Sequence, residues 1–245
     1  MNMFWTILRI EGRLVWKGLD ILIFGILFPI ILAGLFGYIM SKDATLGGAS
    51  MFEVSYPAVV TIGILATGVM GIPLTISDYR HRGILKRFQV TPANPLQLLL
   101  AQGVIQFTSA LISFVGVTLI YILLFQYEMN GSWMAFLTAY ANVLIAMYAI
   151  GIFIGSVVPD QKAANLWSSL AYFSMLLFSG ATIPYEIMPS FVQRIMDLLP
   201  LAQGIHLMKH VSLGEPLQDV YIAMIVIGAC IMVGIFGSVK LFRWK

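Results

Sequence analysis

The chain has 245 residues, 60% of them apolar and only 10% charged, with a mean hydropathy of +0.92 and a formal charge of +3. Soluble domains are about 45–50% apolar and about 25% charged, and disordered chains need more charge still, so both classes are excluded. A single cysteine, Cys230, rules out an intrachain disulfide framework and a cysteine-based zinc site. What remains is a polytopic membrane protein.

Residues 1–17 read as an amphipathic helix lying in the membrane interface. Asn2, Thr6, Arg9, Arg13 and Lys17 recur at three- and four-residue steps, opposite Phe4, Ile7, Leu8 and Val15. Glu11 falls on the apolar face; it either snorkels to water or pairs with the basic loop at 80–87. The first apolar run is broken by Arg9, Glu11 and Arg13, with no small-residue cleavage site. Span one is therefore expected to act as its own insertion signal.

A hydrocarbon core of about 30 Å needs roughly 20 apolar residues of helix. Six stretches qualify, at about 19–40, 54–76, 98–125, 133–158, 166–183 and 220–239. None shows the roughly ten-residue alternation of a membrane barrel strand. Pro29, Pro57, Pro73 and many glycines fall within them, which membrane helices tolerate. The expected fold is all-α, with six transmembrane helices in a single domain spanning 1–245.

Six spans place both termini on one side with the loops at 77–97 and 159–165. That side then holds 11 of the 14 Lys and Arg, leaving Lys42, Arg194 and Lys209 opposite. The positive-inside rule makes it the cytoplasm. The expected location is thus a prokaryotic plasma membrane, crossed several times, with both termini cytoplasmic.

No Asp, Glu, Lys, Arg or His lies inside these spans; Asp20 sits at an edge. A mid-bilayer charge costs at least about 2.5–3.5 kcal/mol and marks ion paths and proton relays, so its absence argues against a secondary carrier. The G-x-x-x-x-G-K-[ST] phosphate loop is missing too. Uphill transport would need a separate ATPase docking from the cytoplasm.

The docking candidate is the segment 77–95, an extension of span two, a break at Gly83, a short basic helix and a Thr-Pro stop. Ile84, Leu85 and Phe88 give the short helix an apolar face; Arg80, Arg82, Lys86 and Arg87 give it charge. On Asp78, Gly83, Leu85, Lys86, Arg87, Thr91 and Pro92 the chain resembles the ABC-2 type permeases, membrane subunits of ATP-binding-cassette exporters. Ile84 stands where that family often has Thr. A second match is Phe178-Ser179-Gly180-Ala181-Thr182-Ile183-Pro184, then Ile187-Met188-Pro189 and Leu198-Leu199-Pro200-Leu201. Here Ile187, Met188, Phe191, Ile195, Leu198 and Leu199 oppose Glu186, Gln193, Arg194 and Asp197 at helical spacing. This amphipathic segment, 185–200, is expected to form a short outer-face helix or to re-enter the interface.

The resemblance implies a half-transporter of type V architecture: an interfacial helix, six spans, a cytoplasmic coupling helix and the outer helix. Two such subunits, identical or paired with a sister, would bind two ATPase subunits. ATP and Mg would sit on those partners, with no cofactor on this chain and no nucleic-acid partner. Asp78, Arg80, Arg82, Gly83, Leu85, Lys86, Arg87, Thr91 and Pro92 would form the ATPase-coupling site. Spans one and five would lie near the dimer axis, and spans two and five would face the cavity. Thr61, Thr67, Phe173, Phe178 and Thr182 are then translocation-path candidates, with backbone-bonded hydroxyls and simple aromatic packing as the alternative.

Gly151-x-x-x-Gly155 permits close helix approach, within the chain rather than at a dimer seam. His206 and His210, four apart, invite a metal or hydrolytic site with Glu186, but Leu207 stands where a zinc protease keeps its glutamate; no metal is expected. The function expected is therefore the permease subunit of an ATP-driven exporter of amphipathic cargo: a drug, an antimicrobial peptide or a lipid-like molecule. Alternatives are polysaccharide, teichoic-acid or sodium export, a secondary carrier, and an outer-face enzyme using His206 and His210.

Overall fold

The structure, a computed structural model, describes residues 3–17, 21–40, 45–46, 49–84, 95–183, 185 and 188–241. It is helical apart from a two-stranded hairpin, β1 (Thr45–Leu46) and β2 (Ala49–Ser50), paired antiparallel. The helices are α1 (Met3–Lys17), α2 (Phe28–Met40), α3 (Met51–Leu65), α4 (Ile72–His81), α5 (Pro95–Phe125), α6 (Trp133–Val157), α7 (Gln161–Phe178), α8 (Ser190–Met196), α9 (Pro200–Leu213) and α10 (Tyr221–Leu241). Wider π-helical turns at Ile21–Leu27 and Ala66–Gly71 lead into α2 and join α3 to α4.

Among the described residues, five helical runs are long and apolar enough to cross a membrane: Ile21–Ile39, Phe52–His81, Gln97–Phe125, Trp133–Val157 and Tyr221–Leu241. The stretch expected at 166–183 is not one of them. Its helix, α7, starts at Gln161 and ends at Phe178, 18 residues in all. Gln161, Lys162, Asn165, Ser168 and Ser169 dilute its apolar character, and 179–183 leave the helix. The expected loop at 159–165 shrinks accordingly, because the Asp160 carboxylate accepts from the Ala163 N–H at 2.8 Å and caps α7.

The run from Phe52 to His81 is the buried centre of the subunit. Tyr56, Val59, Val60, Ile62, Ile64, Leu65 and Val69 are fully buried, surrounded by α2, α5, α6 and α9. One end of this core is aromatic. Phe52 stacks on Tyr121 with ring centroids 4.8 Å apart, and Tyr56 packs between Tyr127 at 4.6 Å and Phe136 at 5.4 Å. The π-helical turn sits just before Pro73, whose missing N–H would otherwise leave a gap in the hydrogen-bond ladder. The Thr67 and Thr75 hydroxyls donate to the Gly63 and Gly71 carbonyls nearby, each at 2.8 Å.

Gly151 and Gly155 pack within the chain, as expected. A Cβ on Gly151 would lie 2.0 Å from the Gly68 carbonyl oxygen, and one on Gly155 would lie 3.1 Å from Pro73 Cα and Ile76 Cδ1. Gly151→Ala therefore drives a methyl into backbone that has no room to yield. It should cost about 3 kcal/mol, the upper part of the range for overpacking. Gly228→Ala in α10 meets nothing within 4 Å and serves as the control, with unchanged or slightly raised thermal stability in detergent.

Candidate functional site

A helix forms at Met3–Lys17, within the stretch expected at 1–17, and its apolar face rests on protein. Ile7 is buried against Tyr79, Leu98 and Ala101, flanked by Phe4, Leu8 and Ile84. Glu11 follows neither expectation. Its carboxylate accepts from the Tyr79 hydroxyl at 2.6 Å and from the Gln102 amide at 2.7 Å, and that amide also donates to Tyr79.

Tyr79 belongs to the last turn of α4, where three consecutive residues reach four different elements. Asp78 pairs with Arg82 at 2.8 Å and accepts a long bond, 3.5 Å, from Gln161 of α7. Tyr79 joins α1 and α5. Arg80 donates to the carbonyls of Val158 at 2.5 Å and Gly155 at 3.0 Å, at the end of α6. Successive helical residues point about 100° apart, so one turn touches most of its surroundings. Arg80 thus binds the bundle itself, while Arg82 is exposed. Gly83 ends the helix with φ +66°, its N–H bonded to the Arg80 carbonyl at 3.1 Å. That left-handed conformation is one glycine adopts without strain. Leu85, Lys86, Arg87, Thr91 and Pro92 lie outside the described residues.

The path candidates separate into two groups. Thr61 and Thr67 are fully buried within the subunit, with their hydroxyls donating to Ala58 and Gly63 carbonyls of the same helix. Phe173 and Phe178 are exposed on α7, alongside Leu166, Trp167, Leu170 and Leu177. Thr182 donates to the Leu176 carbonyl and lines a cavity of about 400 Å³. Apolar residues of α2, α3 and α10 line that cavity, and Asp197, Gln203, His206 and Lys209 add a polar wall.

Much of that wall belongs to α9, a helix absent from the sequence expectation, which stopped the amphipathic segment at 200. The structure has a helix–turn–helix there: α8 is a short piece of the expected segment, and α9 packs into the core through Leu201, Ile205, Met208 and Val211. Its start and stop were signalled by Pro200 at the first turn and by Gly214, which caps it with φ +76°. His210 pairs with Glu215 at 2.7 Å, and its ring lies edge-on to that of His206, centroids 4.6 Å apart. Among the described residues no group of three potential ligands could hold a metal; Glu186 lies outside them. This geometry lends no support to an outer-face enzyme.

Burial, with His210 and Lys209 beside it, lowers the pKa of His206, against smaller opposing effects of Asp197 and Glu215. Its neutral form is therefore favoured in the folded state. The resulting stability is complete above the unfolded value of 6.5 and declines as pH falls through the lower folded value. Thermal unfolding in detergent between about pH 8 and about pH 5 should show that decline. The His206→Gln variant should flatten it.

The sequence reading also missed a polar stripe on the inward face of α5. Gln102, Gln106, Ser109 and Ser113 are all buried and follow an i, i+4, i+7, i+11 pattern. That periodicity was the available signal; attention to titratable groups alone passes over amides and hydroxyls.

The family model for ABC-2 type transporters matches residues 2–213, most of the chain. The chain belongs to the ABC-2 type transporter family. It is 28% identical to Nodulation protein J of Rhizobium leguminosarum bv. viciae over 200 residues, covering 78% of this chain and 75% of that protein. Nodulation protein J of Neorhizobium galegae is 29% identical over 99 residues, 40% of this chain and 38% of that one. The inner membrane transport permease YhhJ of Escherichia coli is 24% identical over 174 residues, 68% of this chain but only 44% of YhhJ. As an ABC-2 type permease, the chain is a multi-pass membrane transport subunit of a class whose ATPase is a separate subunit.

Proposed function

We propose that this chain is the membrane subunit of an ATP-driven exporter of amphipathic cargo, working beside a second permease copy or sister and two ATPase subunits. The observation that carries the reading is the last turn of α4. Asp78, Tyr79 and Arg80 bond to α7, to α1 and α5, and to the end of α6, immediately before the basic segment through Pro92. An ATPase that gripped 82–92 and moved it would pull on four elements at once and favour one of two packings. Arg82, Gly83, Leu85, Lys86, Arg87, Thr91 and Pro92 form the gripping surface, with Asp78 and Arg80 passing the motion on.

In this reading α7 is the fifth of six spans. At 1.5 Å per residue its 18 residues give roughly 27 Å, and five spans would divide the basic residues between the two sides. Both termini then face the cytoplasm. The exposed face of α7, with Phe173 and Phe178, borders the path together with Thr182, and Thr61 and Thr67 stand behind it. The cavity's apolar wall and its Asp197, Gln203, His206 and Lys209 suit a molecule with a greasy body and a polar head.

The test is co-purification with the ATPase encoded beside the gene, followed by ATP-dependent cargo movement in vesicles. The unmodified chain should bind the ATPase and transport. Arg87→Glu and Gly83→Pro should abolish both while leaving membrane insertion intact. Absence of ATPase binding, or inner-loop variants with full transport, would refute the proposal.

A further inference from the structure

Helix α1 spends one face on protein and turns the other outward. At about 100° per residue, Arg9 and Arg13 stand about 40° and about 80° round from Trp5, and Ile10 about 140°. All four are exposed, Trp5 to 63% and Ile10 to 54%. Phe4, Ile7 and Leu8 fill the opposite sector and pack on the bundle. Glu11, the only acid of α1, is turned inward with them and already bonded to Tyr79 and Gln102. Among the described residues neither Arg9 nor Arg13 has a hydrogen-bond or ion-pair partner. The outward face therefore carries two uncompensated guanidinium groups between a tryptophan and an isoleucine.

The level of this face in the bundle names its partner. Ile7 rests on Leu98 and Ala101, within the first two turns of the apolar run Gln97–Phe125. Lys17 is followed four residues on by Ile21, where another apolar run opens. Helix α1 is thus held where hydrocarbon gives way to headgroups, and what stands beside it there is lipid. Indole rings and long basic side chains are the groups that settle at that boundary. A surface helix ordinarily reaches it with its apolar face; here that face is covered by protein, so Trp5 and Ile10 make the contact instead. Two arginines one turn apart, with about 5–6 Å between their Cβ atoms, present planar donor forks that match phosphate oxygens. A zwitterionic lipid brings its own cation beside the phosphate, whereas an anionic lipid leaves the negative charge unmatched. Charge complementarity selects the anionic one.

We propose that the Trp5, Arg9 and Arg13 face of α1 binds the headgroup of an anionic phospholipid. Arg9 and Arg13 donate to the phosphate, and Trp5 and Ile10 sit against the glycerol and the first acyl carbons. The lipid thereby presses α1 onto α5 and supports the Glu11 contact with Tyr79. This inference does not depend on the exporter reading.

The test is tryptophan fluorescence of the full-length protein in phosphatidylcholine vesicles, with part of the lipid replaced by phosphatidylglycerol or phosphatidylcholine carrying bromine on its acyl chains. Bromine quenches a nearby indole, and the difference between the unmodified protein and Trp5→Phe isolates Trp5 from the other four tryptophans. Phosphatidylglycerol should occupy the site beside Trp5 with roughly thirtyfold preference, the ratio two basic residues support at an anionic surface. Arg9→Gln combined with Arg13→Gln should bring the two lipids level. About 1 M salt should shrink the preference in the unmodified protein too, a reading that needs no variant. Equal quenching by the two lipids in the unmodified protein would overturn the proposal. So would a preference that survives the double substitution or the salt, or a Trp5 that neither lipid quenches, with protein covering this face instead.

Discussion

Arg80→Ala should lower the stability of the detergent-solubilised protein by about 3 kcal/mol or more, since charge-assisted hydrogen bonds contribute about 1.5–3 kcal/mol each and two are lost. The two acceptors, the Gly155 and Val158 carbonyls, lie at the C-terminal end of α6, where the last carbonyls have no helical partner and the helix dipole favours a cation. The guanidinium fork reaches both at once. Arg80→Lys keeps the charge but presents a single compact donor group, so it should recover no more than about half of the loss. Thermal unfolding should show the midpoint falling by roughly 6–12 °C for alanine. A midpoint unchanged in both variants would mean that the α4–α6 junction is held by packing alone.

The second large effect is expected at Glu11. Glu11→Ala removes the shared acceptor of Tyr79 and Gln102 and leaves α1 attached by the small cluster around Ile7. Amide exchange within residues 3–17 should then accelerate by about tenfold to a hundredfold, the range that corresponds to losing one or two charge-assisted bonds. Tyr79→Phe keeps the direct bond from Gln102 and should give a smaller acceleration. Uniform exchange rates across the unmodified protein and both variants would show that the carboxylate does not hold the helix.

These two sites also mark where sequence reading stopped. The amphipathic helix, the apolar runs and the break at Gly83 are local patterns, written within a few turns of the chain. The partners of Glu11 are 68 and 91 residues away, and those of Arg80 are 75 and 78 away; no spacing rule connects them. Span two reads like any other apolar run because lipid tails are as apolar as a protein interior. Its place at the centre of the subunit was therefore invisible. Helix α9 was different, since Pro200 and Gly214 announced its ends within sight of the sequence.

The π-helical turn at Ala66–Gly71 acts as a phase-setter for everything downstream of it. A wider turn holds one more residue than an α-turn in the same rise, and that surplus offsets the bearing of later side chains by about 100°. Tyr79 finds Glu11, and Arg80 finds the end of α6, because the winding ahead of Pro73 carries that surplus. The compass heading of the last turn of α4 is thus fixed midway along the Phe52–His81 run, about ten residues before it is used.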